Sequence, residues 1–114
     1  MENLVDFYSE FVTKGICGAT KEIGDAFASA TKKPEAMGVS FALGLTGETG
    51  EVVDILKKYF INGRPMNVEH LTEELGDVLW YLLNIGSLFS IDLNQIMEYN
   101  INKLKERYKD VYEK

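Results

Sequence analysis

The chain has 114 residues, 46% apolar and 26% charged, a size and composition that suit one globular domain and exclude a disordered chain. It carries 12 basic and 18 acidic residues, for a formal net charge of −6. An acidic domain with no basic stripe is a poor partner for nucleic-acid polymers, yet a phosphorylated substrate stays open to it, because carboxylates recruit divalent cations that carry the positive charge.

The helical period dominates from the start. Leu4, Phe7, Tyr8, Phe11 and Val12 recur on one face and predict a first helix from about Glu2 to Lys14. Residues 15–38 contain Gly15, Gly18, Gly24, Pro34 and Gly38, and read as a long connection with at most one helical piece near Thr20 to Thr31. Such a length in a compact domain usually marks a functional loop or lid. A second helix is expected from about Val39 to Ile61, stopped by Asn62-Gly63-Arg64-Pro65. A third is expected from Val68 to Phe89, with Asn67 as its N-cap. Asp92, with Gln95 three residues on, has the spacing of a capping box and opens a fourth helix that runs to about Tyr112. The β-like run Gly38-Val39-Ser40-Phe41 is too short to matter. The expectation is an all-α, four-helix, bundle-like fold in one domain over residues 1–114.

No apolar run approaches the roughly 18–20 residues of a membrane span, and the acidic start Met1-Glu2-Asn3-Leu4-Val5-Asp6 is unlike a signal peptide. No membrane partner is expected. Cys17 is the only cysteine, which removes internal disulfides and cysteine zinc sites and points to a reducing, cytoplasmic setting. His70 is the only histidine, which removes His-rich metal sites.

The chemistry lies in carboxylates placed where apolar residues belong. At about 100° per residue, Phe41, Leu45, Val52, Ile55, Leu56 and Tyr59 form the stripe of the second helix, with Glu48 inside it and Glu51 on its edge. An ionised, unpaired carboxylate on a core face is costly. On the third helix the stripe is Leu71, Leu75, Val78, Leu82, Ile85 and Phe89, and Glu74, Asp77 and Tyr81 run beside it. After Asp77 that helix is apolar almost all round, as in a core or a subunit interface. Each pair, Glu48 with Glu51 and Glu74 with Asp77, has i, i+3 spacing, which sets both acids on one face. If the two helices are antiparallel neighbours, the pairs converge. Oxygen-only ligands suit Mg²⁺, or Mn²⁺ in its place, over Zn²⁺. Gly44, Gly47, Gly50 and Gly76 interrupt these helices at about 1 kcal/mol each relative to Ala, a cost that suggests close approach of a helix or ligand.

The fourth helix has the stripe Leu93, Met97, Ile101, Leu104, Tyr108 and Val111, with Asn100 on the inward side and Lys103 and Arg107 along one edge. An amide and two cations beside a carboxylate–metal cluster suit a polyphosphate. For Arg107 a solvated basic residue near a helix C-terminus is an equal reading. Lys58, near the Glu51 edge, reaches either a phosphate or a surface acid.

Three segments together resemble the MazG-like nucleotide pyrophosphohydrolases of the all-α NTP pyrophosphatase superfamily. They are Gly44-Leu45-Thr46-Gly47-Glu48-Thr49-Gly50-Glu51-Val52, Glu73-Glu74-Leu75-Gly76-Asp77-Val78-Leu79-Trp80-Tyr81, and Asn100-Ile101-Asn102-Lys103-Leu104 with Arg107-Tyr108. The likeness spans about residues 39–109. It implies Mg²⁺-dependent hydrolysis of a nucleoside triphosphate between the α- and β-phosphates, giving the monophosphate and pyrophosphate. It implies metal ligands at Glu48, Glu51, Glu74 and Asp77, substrate contacts at Tyr81, Asn100 and Lys103, and a dimer or a dimer-of-dimers tetramer. Glu48 or Glu51 is expected to take the proton of the attacking water. A dUTP- or dCTP-specific enzyme of the same superfamily remains open, as does a helical oligomerisation domain that binds nucleotide or metal without turnover.

Overall fold

A computed structural model describes residues 3–12 and 35–112 of the chain. The expected long connection lies outside the described residues except at its last four positions, and so does Cys17. Helix α1 occupies residues 4–12. It is followed by α2 (Glu35–Phe60), α3 (Val68–Leu88), α4 (Leu93–Arg107) and the short α5 (Lys109–Tyr112). No strand occurs among the described residues, so the fold is all-α, as expected. No described helix is long and apolar enough to cross a membrane.

Two boundaries differ from expectation. α2 begins four residues early, so the β-like run 38–41 is helical. One glycine and one β-branched residue cannot offset the propensity of the turns on either side. The fourth helix breaks at Tyr108, which leaves α-helical geometry at φ −119° and ψ 48°, and α5 resumes beyond it. The other ends follow the sequence. Asn67 Oδ1 accepts the His70 N–H at 3.0 Å. Asp92 and Gln95 exchange both bonds of the capping box, at 2.8 and 2.9 Å. Gly63, at φ 67°, turns the chain out of α2 while Arg64 N–H reaches back to the Lys58 carbonyl at 3.0 Å, with glycine at the left-handed position common at helix C-termini.

α2 and α3 form the central antiparallel hairpin. Gly38 meets Leu88, Gly44 meets Tyr81, and Glu48 meets Glu74, so numbering rises along one helix as it falls along the other. Phe41, Trp80 and Tyr81 make the aromatic contact across the hairpin, with ring centroids 5.0–6.5 Å apart. α1 lies against the C-terminal half of α3: Ser9 shares a small cavity with Leu83 and Ser87, and Val12 is fully buried.

The stripe expected on α3 is rotated. Leu75, Leu82 and Phe89 are 50%, 44% and 71% exposed, while Leu83, Asn84 and Gly86 are the buried residues. Because α3 is apolar nearly all round beyond Asp77, periodicity alone leaves its rotation open. The fit of Tyr81 against Gly44 settles it. The glycines also divide. A Cβ at Gly44 would overlap the Tyr81 ring, whereas one at Gly47, Gly50 or Gly76 would meet nothing within 4 Å. Close approach within the described chain therefore explains Gly44 alone of these four. Gly44→Ala should displace Tyr81 and cost about 1–3 kcal/mol, as overpacking does. Gly47→Ala should stabilise by up to about 1 kcal/mol through helix propensity. Chemical denaturation of both variants checks the contrast in sign.

Candidate metal and nucleotide site

Glu48 lies near the middle of α2, one turn beyond Gly44, and Glu74 and Asp77 lie in the first half of α3. The antiparallel pairing brings one carboxylate oxygen from each of these three residues within 4.8 Å of the others. Glu48 and Glu74 are half-buried and Asp77 is exposed. Glu51 is exposed and outside this close group, yet near enough for its charge to act on Glu48. Of the four expected acids, three are brought together and the fourth stands beside them.

The electrostatics show the crowding. Glu48 is pushed up from an ordinary 4.5 to about 7. The nearby Glu74 carboxylate, which favours the protonated form, is the largest cause, followed by desolvation and the charges of Asp77, Glu74 and Glu51. Glu74 Oε1 takes a hydrogen bond from His70 Nε2 at 3.2 Å. Its other oxygen, Oε2, is buried without a partner. An orphaned carboxylate oxygen beside two further carboxylates fits a hard divalent cation, for which an all-oxygen donor set is suited. The residues present therefore fit Mg²⁺ or Mn²⁺.

Tyr8 of α1 joins the surroundings of Asp77. Burial, then the Asp77 charge, holds its phenol above the ordinary value. Tyr81 is half-buried against Phe41 and Trp80, on the α3 face that carries Glu74 and Asp77. Lys58 is paired with Asp54 at 2.7 Å. That contact, more than any other, lowers the Asp54 carboxyl below its usual range. Asn100 and Lys103 line a separate groove with Ile91, Gln95, Ile96 and Tyr99, and none of the four acids borders it. Arg107 is exposed at the last position of α4.

Sequence reasoning missed Tyr8 and His70 as neighbours of the acids. His70 had a signal, since i, i+4 spacing sets it over Glu74. Tyr8 had none, because nothing local tells a tyrosine in an apolar stripe which distant helix it will meet.

The raised Glu48 value sets a sign. Folding favours the protonated form, so this contribution is full below about 4.5 and is lost as pH rises through about 7. With metal chelated, the wild-type melting temperature should fall between pH ~5 and ~8 more steeply than that of Glu48→Gln. The variant should also melt higher than wild type at the upper end. Equal slopes in thermal melts would remove the crowding of charge.

Residues 38–112 match the model of the MazG nucleotide pyrophosphohydrolase domain. The chain is also similar to the Gene 37 protein of Mycobacterium phage L5, at 33% identity over 75 residues. That match covers 61% of this chain and 66% of the relative, so the chain spans just under two thirds of the phage protein. No solved structure matches. With about two thirds of the chain matched by that one family model, the protein belongs to the MazG nucleotide pyrophosphohydrolase domain family.

Proposed function

We propose that the chain hydrolyses nucleoside or deoxynucleoside triphosphates between the α- and β-phosphates, releasing the monophosphate and pyrophosphate. The observation that carries this reading is the meeting of Glu48, Glu74 and Asp77 from two helices within 4.8 Å. Glu48, Glu74 and Asp77, with Glu51 at their side, are the residues that would hold Mg²⁺ or Mn²⁺. A divalent cation there supplies neutralisation of phosphate charge and a water that ionises more readily.

The remaining roles fall to the chain. Glu51, outside the close group, is the carboxylate best left free to accept the water's proton; Glu48 is the alternative. Tyr81 offers a ring edge to the nucleoside. Asn100, Lys103 and Arg107 on α4 would offer an amide and two cations to the phosphates once α4 is brought over the acids, since Asn100 and Lys103 line a separate groove in this arrangement. Lys58 would have to leave Asp54 to reach a phosphate, and exposed pairs of that kind hold by only about 0–1 kcal/mol. The role is removal of unwanted nucleotides or control of a nucleotide pool. It would be carried out in the cytoplasm by one domain over residues 1–114, without a nucleic-acid polymer or a membrane as partner. The exposed line Leu75, Leu82 and Phe89 on α3 supports self-association as a dimer or tetramer.

Pyrophosphate release from a panel of canonical and modified triphosphates, with Mg²⁺, Mn²⁺ or chelator, tests the reaction. Metal-dependent release is expected. A preference confined to dUTP or dCTP would name a narrower enzyme, and no release from any nucleotide would leave a binding module. Glu48→Ala and Asp77→Ala should each cut turnover by at least about a hundredfold, since even outer partners of metal ligands are worth 10–100-fold. Helical circular dichroism should persist in both. Sedimentation velocity should give two or four copies, and a monomer at micromolar concentration would remove the proposed self-association.

A further inference from the structure

We propose that His70 is a positioning residue that aims the Glu74 carboxylate into the acidic group. This rests on the metal reading above and adds a residue to it. His70 is itself held in place. It occupies the third position of α3, where its backbone N–H is bound by the Asn67 N-cap at 3.0 Å. One turn on, its Nε2 lies 3.2 Å from Glu74 Oε1. A carboxylate only accepts, so Nε2 carries the hydrogen, and the neutral ring suffices for this bond.

The two oxygens of Glu74 are thereby given different work. Oε1 is tied to His70, while Oε2 is buried with no partner on a residue whose carboxylate lies within 4.8 Å of those of Glu48 and Asp77. A glutamate has three rotatable bonds, and anchoring one oxygen restricts where the other points. An ordinary surface pair at i, i+4 does not account for this. Such pairs join two exposed groups and contribute little, but the Glu74 side chain is only 15% exposed against 47% for His70. The contact runs from a half-exposed ring to a mostly covered carboxylate. Histidine–carboxylate contacts of this type orient metal ligands elsewhere with the roles reversed.

Mn²⁺ binding to the full chain, followed by electron paramagnetic resonance of the free ion, tests the proposal without recourse to turnover. His70→Ala should weaken Mn²⁺ binding about tenfold, and His70→Gln, whose amide N–H reaches the place of Nε2, should restore it to within about threefold of wild type. Glu74→Gln should abolish binding and serves as the reference loss. Wild-type affinity in His70→Ala would overturn the inference, even if its melting temperature fell, because a purely structural role moves stability and not affinity. Equal weakening in the Ala and Gln variants would overturn it too. Absence of Mn²⁺ binding by the wild-type chain would instead sink the metal reading, and the inference with it.

Discussion

Mutual repulsion among carboxylates on facing helices is the constraint around which the hairpin is arranged. Glu48, Glu74 and Asp77 hold one carboxylate oxygen each within 4.8 Å of the others, and Glu48 is pushed up to about 7 by the neighbouring Glu74 carboxylate, by desolvation and then by the surrounding negative charge. Like charges at that spacing oppose the pairing of α2 with α3. The pairing must therefore be secured elsewhere along the same two helices. Local destabilisation at a site, offset by packing beside it, is a common arrangement where a charge-bearing ligand is to be bound.

That packing lies one to two turns away. Phe41, Trp80 and Tyr81 meet edge to face or tilted across the hairpin, in the geometries aromatic quadrupoles favour. Tyr81 fits because Gly44 has no side chain. Sliding α2 along α3 by one turn would set a side chain under that ring and separate Glu48 from Glu74. The aromatic fit and the acidic group are thus two readings of one register. At the far end, Gly86 admits the Ile91 carbonyl as the chain turns back, where a Cβ would lie 2.7 Å from that oxygen. Ser90 takes the left-handed conformation, at φ 59°, to complete the turn. Asn84, fully buried, donates its amide N–H to the Trp80 carbonyl at 2.8 Å, while its Oδ1 is buried without a partner.

Much of this was legible in the amino-acid sequence because the signals are local. Asn67, Asp92 with Gln95, and Gly63 mark helix ends through bonds made within a few residues. The acids of α2 and α3 stand out by breaking an apolar period, and short connections make neighbours antiparallel. The rotation of α3 was not legible, because a helix apolar on every side carries no periodic signal and is oriented by partners. Leu75 and Leu82 look like core on a helical wheel and are half exposed in the structure. For the same reason Tyr8 could not be matched with Asp77: α1 and α3 are joined through tertiary packing, not spacing. Periodicity likewise overstated the inward face of α4, which has no buried residue.

The separation of Asn100 and Lys103 from the acids follows from the same thin core. Only Val12, Phe41, Ile55 and Leu83 are buried apolar residues among those described. Met97 and Ile101 on α4 and Tyr108 at its C-cap are 37%, 51% and 48% exposed, as the uncovered apolar line of α3 also is. The described helices bury little apolar surface among themselves, and so gain little there from the hydrophobic term that normally offsets chain entropy. Two uncovered apolar faces are what a further helical layer would bury, and a layer that covered α4 would also fix where Asn100 and Lys103 stand relative to Glu48. On that view the acidic hairpin is built within one chain, and the cationic edge is positioned by whatever closes over it.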